Sequence, residues 1–150
     1  MRSNLKPLVL LMWAAGLAGG IAGLGCYTFY YGAGLSYFRD DPKACTNCHI
    51  MRGVFDGWNH GTHKAVATCN SCHAPHDLAG KLLIKGINGW NHSVAFTTGK
   101  FNEPIRISNL NRRIALRNCL YCHEDLVNPL MQSHGSLDCL KCHSGVGHGR

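Results

Sequence analysis

The hydrophobic pattern divides the chain sharply. Residues 7–38 run for thirty-two positions without one Asp, Glu, Lys, Arg or His, more than the roughly 20 apolar residues needed to cross a hydrocarbon core about 30 Å thick. A secretory h-region is shorter, about 7–15 residues, and stops at a small-residue cleavage site. Here hydrophobicity continues for more than two turns beyond Ala14, Ala15 and Ala18, so the pattern predicts an uncleaved transmembrane helix. A helical period returns at 77–92. Lys81, Lys85, Asn88 and His92 fall on one face at spacings of 4, 3 and 4, with Leu78, Leu82, Leu83, Ile87 and Trp90 over the remainder. Gly86 and Gly89 interrupt its propensity. Such a helix can lie at a membrane surface, its polar face towards a headgroup or ligand. A further helix is predicted over about 108–117. Strand signals are negligible and the rest reads as turns. The expected fold is mainly α with much irregular backbone: an anchor over 1–38 and an outer domain over 39–150.

The flanks orient the span. Arg2 and Lys6 precede it, whereas Arg39 and Lys43 follow with Asp40 and Asp41 between them; the positive-inside rule then places the N-terminus in the cytoplasm and the bulk of the chain outside. Tyr27, Tyr30, Tyr31 and Tyr37 gather at the far end, where amphipathic rings suit the headgroup layer. Gly16 with Gly20 and Gly19 with Gly23 form small-xxx-small pairs that would let another helix approach. Cys26 reads as an apolar filler inside the span.

Composition changes the picture of the outer part, which holds eight of the nine cysteines and all ten histidines. The cysteines recur as Cys45-Thr-Asn-Cys48-His49, Cys69-Asn-Ser-Cys72-His73, Cys119-Leu-Tyr-Cys122-His123 and Cys139-Leu-Lys-Cys142-His143. In Cys-x-x-Cys-His two thiols can each form a thioether to a haem vinyl group, and the adjoining histidine becomes an axial ligand. A Cys₄ zinc site needs no histidine after every second cysteine. A disulfide framework explains neither the repeated offset nor the histidines, and a thioredoxin-like site expects one copy in a βαβ context. Four covalently bound c-type haems are the expected cofactors.

The formal charge is +7, which alone would suit nucleic acid or an anionic surface. The basic residues are scattered, however. Arg106, Arg112, Arg113 and Arg117 cluster without interleaved aromatic residues, so no nucleic-acid partner is expected. Two propionates per haem would bring the outer domain close to neutrality. The haems would also supply apolar area that so short and glycine-rich a domain lacks, making the fold haem-nucleated.

Four irons take up to eight axial ligands and the motifs supply at most four. His60, His63, His76, His92, His134 and His148 are the further histidines, with Met51 two residues beyond His49. The first cysteines of consecutive sites are 24 residues apart in one half (Cys45, Cys69) and 20 in the other (Cys119, Cys139). His63 precedes Cys69 by six and His134 precedes Cys139 by five. That weak repeat predicts pseudo-two-fold halves that exchange ligands. Five residues separate His148 from His143 and reach at most about 17 Å, which favours a neighbouring haem, the third, for His148. Met51 can compete with His49 for the first iron, and a methionine ligand raises the potential.

With the extended Cys-Thr-Asn-Cys-His-Ile-Met and Cys-Asn-Ser-Cys-His-Ala-Pro-His segments, the single span and the histidine five residues after the last motif, the chain resembles the NapC/NrfH family of membrane-anchored multihaem quinol dehydrogenases, in its NrfH branch. The resemblance implies menaquinol oxidation beside the first haem and electron transfer to a periplasmic multihaem nitrite reductase. It further implies an inner-membrane location and leaves room for a homo-oligomer within the complex. It implies Met51 rather than His49 as first-haem ligand, and Lys85 in the quinol pocket. Where the best-described members carry an aspartate seven residues later, this chain has His92, expected to accept a proton. In that branch the second haem borrows a ligand from the partner enzyme. His134 is expected to take that place here, with His63 on the fourth haem. Rival readings are a donor to periplasmic nitrate reductase, a docking subunit without a quinol site, and a small-molecule reductase with an open iron.

Overall fold

The computed structural model describes residues 5–135 and 137–149. The chain divides into two compact units between Arg39 and Asp40.

The first unit is built on α1 (Leu5–Tyr31). Its 27 residues extend about 40 Å at 1.5 Å per residue, and among the described helices it alone is long and apolar enough to cross a membrane. Near its end Thr28 Oγ1 donates to the carbonyl of Leu24 at 2.8 Å, and the rings of Tyr27 and Tyr31 lie 4.9 Å apart. Ala33 then takes a left-handed conformation, φ 50°, which turns the chain into a 3₁₀ segment, Gly34–Phe38.

The second unit is a chain of helices and turns; no strand occurs among the described residues. Two 3₁₀ turns, Pro42–Asn47 and His49–Met51, lead into α2 (Arg52–Asn59). A third, Thr62–Ala65, precedes α3 (Cys69–His73), α4 (Leu78–Thr98), α5 (Asn109–His134) and α6 (Cys139–Cys142). The starts follow capping chemistry. Thr68 and Ser71 form a capping box on α3, the Asp77 carboxylate accepts from Gly80 N–H at 2.6 Å, and Ser108 Oγ accepts from Asn111 N–H at 3.3 Å. Helix α4 runs unbroken through Gly86 and Gly89 to a left-handed Gly99.

Helix α5 continues to His134, far beyond Arg117, where its periodic pattern fades, and it carries Pro129 inside it. Beyond Asn118 none of its described side chains is buried. The four attachment motifs consequently occupy different backbones. The second and fourth sit on short helices, the first on 3₁₀ turns, and the third within a long helix. The expected repeat is visible in the second and fourth sites and absent from the first and third.

The buried side chains are few: Ala44, Ala74, Ile84, Ile114, Ala115 and the polar Asn118. Leu78, Leu83, Trp90, Tyr121 and Leu126 stay exposed. So small an apolar interior leaves this domain dependent on something further to pack against.

Candidate functional site

The cysteines carry no disulfides, and successive motifs lie close enough for their thiols to influence one another. A hydrogen bond with Cys69 holds the Cys45 thiol down at about 7 and pushes Cys69 up, joining the first site to the second. Burial and then the nearby Cys122 raise Cys72, which joins the second site to the third. Cys119 is raised by burial and next by Cys139, which joins the third to the fourth. Thioethers do not titrate, but the adjacency remains. Among the described residues no group of three or more His, Cys, Asp or Glu converges on a bare ion.

The imidazoles fall into two facing pairs. The rings of His73 and His148 are parallel within 2°, with centroids 5.8 Å apart. Those of His63 and His123 lie 6.2 Å apart at 71°. Two imidazoles on opposite sides of one metal, each bonded at about 2 Å, have ring centres about 6 Å apart, and both centroid spacings match that value. Burial and then the adjacent His148 depress the pKa of His73, and burial depresses that of His148, which favours the neutral form that binds metal.

These pairings differ from those expected from the repeat. His148 meets the second motif rather than the third, and His63 meets the third rather than the fourth. His134 ends α5, exposed, and no imidazole is placed against it among the described residues. The first and third sites sit on unlike backbones, 3₁₀ turns and a long helix, so equal spacings do not imply equal geometry.

His49 is exposed and Met51 half-buried within one 3₁₀ turn. His143 is exposed at the end of α6. His60 Nδ1 donates to the carbonyl of Asp56 at 2.8 Å, and His76 stacks on Tyr121 at 3.9 Å.

Glycine 57 holds the C-terminal loop in place. A Cβ there would overlap the carbonyl oxygen of His148, so α2 lies directly on that backbone. Gly57→Ala is expected to push His148 from His73 and convert one haem from low-spin to high-spin. An absorption or EPR spectrum identical to wild type would show that the loop tolerates the methyl group. The fourth site is anchored by an ion pair between Arg112 on α5 and Asp138, the residue before Cys139.

Helix α4 packs through its polar side. Its polar face is largely spent on the protein. Lys81 Nζ lies 3.0 Å and Lys85 Nζ 3.4 Å from the Asp40 carboxylate, which also accepts from Asn70 Nδ2 at 2.8 Å. Asn88 and Asn111 exchange amide hydrogen bonds at 3.3 and 3.0 Å. The open side is apolar, a groove of about 490 Å³ lined by Leu82, Leu83, Gly86, Ile87 and Trp90. Lys85 is only 18% exposed. His92 is exposed two turns further along. Asp40 escaped the sequence reading, because a contact spanning 41 to 45 residues leaves no local pattern.

The hydrogen bond from Lys81 holds the Asp40 carboxyl below its ordinary 3.8. A depressed carboxylate stabilises the fold above its unfolded pKa and loses that contribution as pH falls through the folded one. Melting wild type beside Asp40→Asn should therefore show a small, salt-sensitive deficit in the variant at pH 7 that vanishes well below pH 3.8. A deficit unchanged at low pH would mean that the tie is not ionic.

Paired thiols in order, imidazoles facing at metal spacing and one apolar helix define a membrane-anchored c-type cytochrome with several haem sites. The chain belongs to the NapC/NirT cytochrome c family, whose N-terminal region it matches over residues 3–150. It is 37% identical over 141 residues to the cytochrome c-type protein NrfH of Wolinella succinogenes, covering 85% of this chain and 80% of that protein. It is 31% identical to the cytochrome c nitrite reductase subunit NrfH of Nitratidesulfovibrio vulgaris, covering 99% and 90%. Its fold is similar to a chain in the crystal structure of the cytochrome c nitrite reductase NrfHA complex bound to the inhibitor HQNO, with a TM-score of 0.67, 31% identity and coverage of 89% and 91%.

Proposed function

We propose that this chain is a menaquinol-oxidising tetrahaem subunit that passes electrons to a periplasmic, NrfA-like cytochrome c nitrite reductase. The observation that carries the reading is the presence of four Cys-x-x-Cys-His motifs on one chain whose fold is similar to a chain of the NrfHA complex. In this reading the anchor is residues 1–38, set in the inner membrane with a cytoplasmic N-terminus, and the domain 39–150 lies in the periplasm.

Cys45, Cys48, Cys69, Cys72, Cys119, Cys122, Cys139 and Cys142 would hold four haems c, which supply one-electron transfer while the protein sets position and potential. His73 with His148 and His63 with His123 would ligate the second and third irons. His143 would serve the fourth, and Met51 in place of His49 the first. His134, exposed at the end of α5, remains a candidate ligand for a haem shared with a partner.

Quinol must lose two protons as well as two electrons. Lys85, steered by Asp40, would donate a hydrogen bond to its oxygen. His92 on the same helix would accept a proton. Membranes carrying the chain with its reductase should couple menaquinol oxidation to nitrite reduction and stop when HQNO is added. Undiminished turnover under HQNO would favour a docking subunit fed by another cytochrome. Co-purification with a nitrate reductase instead would identify a different acceptor.

A further inference from the structure

Asn118 is the one buried polar side chain among the described residues, 6% exposed. Its Nδ2 donates to two carbonyls, that of Cys72 at 3.0 Å and that of Ala74 at 2.8 Å. Those carbonyls flank His73, the histidine of the second motif. Helix α3 has five residues, so its carbonyls fall among the last four, which lack partners within a helix. Ala74 is already extended, φ −131°, ψ 147°, and is 2% exposed. Both acceptors would be orphaned without the carboxamide, whose two N–H groups match them one to one.

The other end of the clamp is equally specific. Asn118 lies inside α5 and immediately before Cys119, the first cysteine of the third motif. A continuous helix therefore carries any movement of Asn118 straight to the third attachment site. We propose that Asn118 is a positioning residue: its carboxamide ties the backbone around His73 to the start of the third motif and thereby fixes the spacing and orientation of the second and third haems. This rests on the reading that both motifs hold haem. A residue that merely filled the core would be tolerant of an apolar side chain of similar volume and would affect stability alone.

The test uses the full-length protein extracted from membranes. Haem is first counted by intact mass and pyridine haemochrome; fewer than four equivalents in wild type would defeat the tetrahaem reading itself. With four present, magnetic coupling between the second and third haems is read by EPR, and electron equilibration between them is timed after flash reduction. Asn118→Leu is expected to weaken the coupling and to slow equilibration on the order of tenfold, since reacting partners feel displacements of about 1 Å strongly. Asn118→Gln, which keeps the donors, should recover part of it. Asn118→Ser, which can satisfy one carbonyl and fits without crowding, should give an intermediate loss even where the leucine chain fails to mature. Coupling and rate equal to wild type in a four-haem Leu or Ser variant, whatever its melting temperature, would overturn the proposal.

Discussion

A chain made without haem attachment, with its eight motif cysteines changed to alanine, is expected to lose α2 to α6 while α1 persists in membrane or detergent. Circular dichroism should retain about one helix, and protease should cut freely through residues 40–149. The reason is the interior of the second unit: two isoleucines, three alanines and an asparagine cannot offset the conformational entropy of a hundred-residue domain. Ordinary helix caps help locally, but an isolated short helix is marginal in water. α3 and α6 have five and four residues, and packing must come from outside them. Leu83, Trp90, Tyr121 and Leu126 are open, and macrocycles would supply the missing surface. The coupling is the same as in small metalloproteins, where the free energy of binding the metal is the free energy of folding. Native-like helicity and protease resistance in the cysteine-free chain would show that the protein folds first and receives its haems later.

The parts legible in the sequence were those governed by local rules. The charge-free run led to α1, Asp77 and Ser108 marked the starts of α4 and α5, and the Cys-x-x-Cys-His spacing led to the attachment sites. What escaped was long-range. The continuation of α5 runs through Pro129, a residue that ordinarily stops a helix. The contact of Gly57 with the backbone of His148 joins the first motif's helix to the last loop. The partners of Asn118 lie 44 and 46 residues away. Spacing alone also could not show which histidines lie near one another. Spacing along the chain assumes that equal offsets have equal geometry, whereas a 3₁₀ turn and a 26-residue helix carry their motifs in unlike orientations. Amphipathicity likewise shows two sides of α4 without showing which meets the protein. Here polar pairs with Asp40 and Asn111 turned the lysine face inward.

Lys85→Met should lower menaquinol-driven haem reduction by roughly 10²-fold or more, with dithionite reduction and the haem count unchanged. Methionine keeps the length and apolar stem of lysine, so the packing beside Ile84 and the groove is largely retained, and what is removed is the ammonium. That group is half of a built arrangement. Its side chain is mostly shielded, and Asp40 lies 3.4 Å from its Nζ, which holds it near the first and second attachment sites through Asn70 on α3. Asp40→Asn should therefore act in the same direction but more weakly, raising KM more than it lowers kcat, because Lys85 survives but loses its guide. His92→Ala probes the proton. Positioned general bases contribute about 10²- to 10⁴-fold, so His92→Ala should lower kcat on that order, whereas His92→Asp, which keeps a base, should restore part of it. Wild-type turnover in His92→Ala would remove the histidine from the chemistry. A Lys85→Met enzyme that oxidises menaquinol at the wild-type rate would mean that quinol binds elsewhere and that the lysine pair serves only to hold α4 against Asp40.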